Sequence, residues 1–252
     1  MNLYENITRR KSFRSFNDKA LAAEEIDGLV DFLSNLTPPM EDIDWNFDTL
    51  PYNDMVRIAS REPGVKAPMY LVLRAERKNF SLQKAGYIGE YAALYLASHN
   101  IATCWQGGVS VLRDNDFQGS LPFVSCLAFG YSDEPFHSGG ESYDRKPLGK
   151  LAFGRYEAYK KIMEAARLAP SSYNRQPCVY VADDRGRIHL YRKKSFLGNP
   201  VTNYQYCVDA GCVLAHIEIA AAQEGYKTSI IKLSSEPKFK SFIYQATVEL
   251  NK

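Results

Sequence analysis

Two segments of this chain align without a gap at an offset of 125 residues, close to half of its 252-residue length. They are AGYIGEYAALYLASHNIATCW, from Ala85, and AGCVLAHIEIAAAQEGYKTSI, from Ala210. Each opens on Ala-Gly, continues as a long apolar stretch with small residues at helical spacing, and ends in an extended run. A repeat of this size constrains the fold first, because each copy has to be a supersecondary unit of the same kind. Helices this apolar are buried on most sides, so each is expected to be the central helix of its half.

The match extends outward. VDFLSNLTPP (30–39) and MEAARLAPSS (163–172) both read as helices stopped at proline, and CLAFGY (126–131) and YQATVEL (244–250) as strands closing each half. APMYLVLRAE and CVYVADDRGRIHLYRKK read as strands from their Val, Leu and Tyr content, with DDRG as a hairpin turn. Ala-rich helices resemble one another by chance, but flanking elements in the same order argue for duplication. The expected fold class is α+β, with two fused halves, 1–140 and 145–252, joined by the loop 132–147. Two such halves predict a pseudo-dimer within one chain, with further dimerisation left open.

Composition narrows the function classes. Thirty-one basic residues against 29 acidic ones leave a net charge of +2, which gives no reason to expect nucleic acid or an anionic membrane as partner. No apolar run approaches the ~20 residues that cross a bilayer. The N-terminal MNLYENITRRKSF lacks the apolar centre of a signal peptide. The five cysteines are scattered, without a CxxC pair, and the four histidines show no ligand spacing. Reduced thiols, a cytoplasmic location and no structural metal are therefore expected.

Three motifs occur once each. In RRKSFRSF, Arg10, Lys11, Ser12 and Arg14 gather three cations and a hydroxyl, suited to a phosphate, ahead of a helix expected to start at Asn17 and Asp18. A solvated basic arm explains the same residues. In APSSYNRQP, Pro170 stops a helix, and Ser171, Ser172 and Asn174 offer short polar side chains and backbone amides, although capping and turn chemistry favour these residues anyway. In CWQGGVS, Gly107 and Gly108 after Gln106 allow a backbone to approach a flat ligand, or simply make a tight loop. The repeat sharpens these readings. The first-half counterpart of the serine turn is TPPMED, no glycine pair recurs near Ile231 and Lys232, and DRKPLGKLAF stands where the arginine-serine cluster would recur.

This set of motifs resembles the flavin-dependent nitroreductase family, particularly its single-chain, internally duplicated branch, over essentially the full length. The resemblance rests on Arg10, Ser12, Arg14 and Phe16, on Ala169 to Pro177, on the apolar helix leading to the glycine loop, and on Arg145 before Pro147. It implies FMN as cofactor, with Arg10, Lys11, Ser12 and Arg145 on the phosphate and ribityl chain. Arg14 is implied near the N1/O2 edge, where a fixed cation raises electron affinity. Gln106 and Gly107 amides are implied at N5 and O4, and Pro170, Ser171, Ser172 and Asn174 close the site from the other half. Gln106 stands where many members have Glu, and Tyr143 where many have Lys. Arg57, Arg61 and Lys66 are further cations of unassigned role.

The activity implied is NAD(P)H oxidoreduction in a ping-pong cycle: hydride to flavin N5, then to an electron-poor acceptor such as a nitroaromatic or quinone. No side chain is required as acid or base. No Gly-x-Gly-x-x-Gly turn indicates a separate nicotinamide domain. Trp105, Tyr173, Tyr204 and Tyr206 are candidates for lining the pocket, with core packing the commoner fate of such aromatics. A flavin- or ligand-binding protein without turnover is the alternative.

Overall fold

The central helices form where the repeat places them, and they end alike. In the computed structural model, which describes residues 2–40, 42–57, 65–107, 109–111, 121–139 and 142–252, the elements follow in this order. The first half holds α1 (Leu3–Arg9), α2 (Ala23–Ser34), β1 (Trp45–Pro51), β2 (Met55–Arg57), β3 (Met69–Ala75), α3 (Ser81–Ser98), β4 (Ala102–Gln106), β5 (Val109–Val111) and β6 (Phe123–Gly130). The second holds β7 (Ala152–Gly154), α4 (Lys160–Arg167), β8 (Cys178–Ala182), β9 (Arg187–Arg192), α5 (Pro200–Gln223), β10 (Lys227–Ile231) and β11 (Ile243–Asn251).

The C-terminus of α3 at Ser98 and that of α5 at Gln223 keep the 125-residue offset, and so do both ends of β4 and β10. The caps agree atom for atom. Ile101 N–H donates to Leu96 O at 2.9 Å and Asn100 N–H to Ala97 O at 3.1 Å; Tyr226 to Ala221 and Gly225 to Ala222 repeat both distances. The residue in the left-handed conformation is Asn100 in one cap (φ 57°) and Gly225 in the other (φ 82°). These are the two residue types that enter that region at least cost.

The chain divides into two compact units. One comprises 1–37, 43–81 and 88–141, the other 38–42, 82–87 and 142–252. Helix α3 therefore contributes residues to both.

The first unit is built on an antiparallel sheet in the order β1-β3-β6-β4, with a separate β2-β5 ribbon. Strand β3 is buried almost throughout, and its Leu71, Val72 and Leu73 lie in the core with Phe13, Leu29, Leu33, Leu94 and Phe129. The helix expected at Asn17 and Asp18 starts at Ala23 instead. Asn17 Oδ1 accepts from Lys19 N–H, and it is the Glu25 carboxylate that caps Ala22 N–H at 2.8 Å.

The second unit's sheet runs β10-β11-β9-β8-β7, antiparallel except for the β7–β8 pair. The 183–186 turn joins β8 to β9, as its sequence suggests. Without α1, β2, β5 and β7, each half runs helix, strand, strand, helix, strand, strand, and each sheet takes the order first, second, fourth, third. This shared topology supports a duplicated ancestor.

Within the second unit, α5 meets the 82–87 segment of α3 backbone to backbone. A Cβ on Gly86 would overlap the Val208 carbonyl oxygen, and one on Gly211 would overlap that of Gln83. The repeat offset turns each of these contacts into the other, which is the reciprocal pattern of a twofold crossing. Gln83 Nε2 donates to Gln245 Oε1 at 2.8 Å beside it. Gly86→Ala and Gly211→Ala should each lower the unfolding free energy in urea by ~3 kcal/mol or more. Gly149, with nothing within 4 Å of its added Cβ, should tolerate alanine within about 0.5 kcal/mol.

Candidate functional site

In the first unit, the Arg10–Arg14 segment is extended and lies against β4. Phe13 N–H donates to Thr103 O at 3.0 Å, and Ser12 makes a parallel bridge with Thr103. Phe13 is the anchor: it is fully buried, with its ring 4.7 Å from that of Phe136. Side chains alternate along an extended segment, so burying Phe13 turns Ser12 and Arg14 the other way. Arg14 is exposed, with Nη1 3.3 Å from Ser12 O. Lys11 pairs with Glu134 at 3.0 Å, its ammonium 4.8 Å from the Phe13 ring centroid.

Arg10 behaves differently. Its side chain is 5% exposed, and its Nε lies 3.3 Å from Oε1 of Glu90, which is fully buried on α3. The other Glu90 oxygen accepts from Trp105 Nε1–H at 3.0 Å. Two opposite charges out of water hold each other only while both are present. Gln106 ends β4 with its amide committed: Oε1 accepts from Val65 N–H at 3.1 Å, and Nε2 donates to the carbonyls of Cys104 and Trp105. Gly107 follows, exposed. Burial raises the Cys104 thiol pKa, with Arg14 and Arg10 opposing. Gly108 and Arg61 lie outside the described residues, and so does the side chain of Arg57. Lys66 sits 5.2 Å from the Tyr52 ring centroid.

The second unit carries the serine turn. After α4 and Pro170, Ser171 is extended and Ser172–Asn174 forms one 3-10 turn. Tyr173, Asn174 and Gln176 all have positive φ, 52°, 52° and 49°. Each such residue costs on the order of 1–2 kcal/mol, so the surroundings must hold the turn in place. Its own polar side chains do much of this. Ser171 Oγ accepts from Gln176 N–H at 2.9 Å; Asn174 Oδ1 accepts from Arg145 Nη1 and Gln176 Nε2; Asn174 Nδ2 donates to the Asp144 carbonyl and carboxylate. Gln176 Oε1 accepts from Lys146 N–H at 2.6 Å, and Arg145 Nη2 donates to Leu168 O at 3.2 Å. Tyr143 is placed beside this network, its carbonyl accepting from Arg145 N–H at 2.7 Å.

The structure thus gathers the expected residues into two groups. Arg10, Lys11, Ser12, Arg14, Gln106 and Gly107 are in the first unit; Arg145, Pro170, Ser171, Ser172 and Asn174 are in the second. Arg145 joins Asn174 directly, at 3.0 Å. Of the four aromatics, Tyr173 is 80% exposed rather than packed in a core.

A family model described as "Putative TM nitroreductase" matches residues 2–221. The chain belongs to this nitroreductase family. A nitroreductase structure from Thermotoga maritima aligns over 100% of this chain and 95% of its own, at 22% identity and a TM-score of 0.64. More distant structures include a nitroreductase with bound FMN from Bacteroides fragilis, at 16% identity and TM-score 0.41 over 58% of this chain and 94% of its own. An FMN- and NADPH-dependent nitroreductase from a Sphigopyxis strain has 14% identity and TM-score 0.41, over 60% of this chain and 97% of its own. No curated protein matches. Among the described residues, no helix is long and apolar enough to cross a membrane, and no group of His, Cys, Asp and Glu is arranged to hold a metal.

Two residues of this chain escape a motif reading. Glu90 is the single acid of α3, and Asp209 is an acid of α5 beside the helix crossing. One buried carboxylate within an apolar helix is the signal that points to each. Asp209 Oδ1 accepts from Ser172 N–H at 2.9 Å and from Ser172 Oγ–H at 3.1 Å. Burial pushes the Asp209 carboxyl up to about 7, against the Ser172 hydrogen bonds and Arg175.

Glu90→Ala should cost ~3–5 kcal/mol in urea unfolding, because it strands a buried guanidinium; Glu90→Gln, which keeps an acceptor for Trp105, should cost less. Asp209 sets a pH dependence of stability. Its folded pKa lies above its unfolded one, so the native state holds the proton more tightly, and stability falls as pH rises from about 4 to 7. Asp209→Asn should therefore gain on wild type through that window and keep its lead above it, read as Tm against pH.

Proposed function

We propose that this nitroreductase is an FMN-dependent NAD(P)H oxidoreductase acting on small electron-poor acceptors such as nitroaromatics or quinones. The observation that carries the reading is the extended Arg10–Arg14 segment laid along β4, which runs into the exposed Gly107, in a chain of this family.

The donor set suits a flavin mononucleotide. Ser12 and Lys11 offer a hydroxyl and a positive charge to a phosphate monoester, which carries close to two negative charges at neutral pH. Arg10, whose Nε has an ion pair but no aligned hydrogen bond, adds a cation set back from solvent. The commitment of the Gln106 amide to its own strand leaves backbone N–H groups as the donors this loop brings to a ring. On this reading Pro170, Ser171, Ser172 and Asn174 complete the flavin site from the second half, with Arg145 fixed through Asn174. When bound, FMN supplies the hydride chemistry, accepting from NAD(P)H at N5 and delivering to the acceptor. The chain's own part is to bind, orient and polarise. Arg14 supplies fixed positive charge where the reduced ring would carry negative charge, which favours reduction.

The test begins with the visible spectrum of the purified protein, then additions of NADH and NADPH under nitrogen. About one FMN per chain, bleached by a nicotinamide, is expected. A yellow protein that neither nucleotide bleaches would instead indicate flavin binding without turnover. Arg14→Ala and Asn174→Ala, one in each half and neither in the fully buried core, should each weaken FMN binding tenfold or more, ~1.4 kcal/mol. Loss with only one of the two would refute a site drawn from both halves.

A further inference from the structure

Asp209 is a buried ionisable group that flavin binding leaves without a role. We propose that Asp209 is a positioning residue for the turn 171–176, gripping Ser172 so that the turn holds the geometry in which it receives FMN. This inference rests on the flavin reading.

The grip is double. One carboxylate oxygen takes both the N–H and the hydroxyl of Ser172. The other, Oδ2, is buried without a hydrogen-bond partner. Asp209 lines the same small cavity as Pro170, Ser171 and Gln176, so it supports the turn from behind. A carboxylate that is 5% exposed with one oxygen unsatisfied weakens the fold on its own account. Its retention is explained if it holds something that function needs.

The repeat supplies an internal comparison. At the 125-residue offset, the counterpart of Asp209 is Lys84, also buried. The half that has Lys84 has no serine pair after its proline-stopped helix, only Thr37-Pro38-Pro39. The acid occurs in the half that kept the serines.

The groups around Asp209 are Arg175 of the turn, Cys178 of β8, Cys207 on its own helix, and Arg167 and Tyr180 lining the cavity. Burial outweighs the help from Ser172 and Arg175 and sets the carboxyl near 7. Above that pH the two bonds to Ser172 are charge-assisted and stronger; below it they are ordinary.

The experiment is FMN titration of the apoprotein from pH 5.5 to 8.5 for wild type, Asp209→Asn, Ser172→Ala and the double variant. Hydrogen exchange of the 172–176 amides in flavin-free wild type and Asp209→Asn accompanies it, corrected for intrinsic rates. Wild type should bind FMN roughly tenfold more tightly above pH 7 than below, beyond the contribution of the flavin phosphate, which titrates near 6. Asp209→Asn should keep only the phosphate contribution, bind roughly tenfold more weakly at pH 8, and exchange its turn amides faster. Ser172→Ala should match it, and the double variant should be no worse than either single one. Asp209→Asn binding FMN like wild type, with equal protection of the turn, overturns the positioning role alone. Failure of every form to bind FMN overturns the flavin reading and this inference with it.

Discussion

Gly86 and Gly211 let two helices touch backbone to backbone, and the arrangement of the second unit depends on that contact. Each glycine faces a carbonyl oxygen at a separation that leaves no room for a Cβ. Each is the other's counterpart in the repeat, and so are the residues they meet. A self-complementary contact of this kind is what a twofold interface makes, since any patch on the axis must fit itself. The Ala-Gly that opens both repeats is therefore more than a compositional likeness. It is a place where the geometry permits almost no change of side chain.

Around this contact the backbone is duplicated and the charges are not. The helix ends, the left-handed caps and the following strands all keep the 125-residue offset. Lys84 answers to Asp209, and Ala215 answers to Glu90. Backbone hydrogen bonding sets what must recur, because a cap or a strand pair is needed in both halves alike. A buried charge is tolerable only beside its own partner. Arg10 and Trp105 occur in one half, Ser172 in the other, and each of the two acids occurs with its partners.

Legibility in the sequence follows the same division. Long apolar helices, their proline and glycine stops and the hairpin at 183–186 depend on local pattern, and the chain's residues announce them. Strand β1 does not announce itself. WNFDTLP alternates apolar and polar residues only over its first four positions, and among the described residues the strand is an edge paired with β3. Asp48 on it meets Arg74, almost wholly buried on β3, at 2.8 Å across 26 residues of sequence. The start of α2 misleads for a similar reason. Asn17 and Asp18 are good caps in isolation, but Asn17 is held by Asp133 at 2.8 Å, far along the chain. The arginine-serine and serine-turn motifs could be read as motifs. Glu90 and Asp209, which hold one residue of each, carry no more signal than an acid within an apolar helix, because their burial and their partners are properties of the fold.

The serine turn shows why so many small polar side chains gather at a helix-to-strand junction. Three of its residues sit in the left-handed region, and no glycine stands among them to make that easy. Left to itself the segment would relax to other conformations, since the cost at three positions exceeds what one 3-10 turn returns. Ser171, Asn174 and Gln176 fasten the turn to itself, residues 144–146 fasten it from one side, and Asp209 from another. The effect is to fix a loop before any ligand arrives, which removes an ordering cost from binding. Capping chemistry and ligand chemistry are therefore not competing accounts of these residues. The hydrogen bonds that cap the turn are the means by which its outward atoms can be held ready for a cofactor.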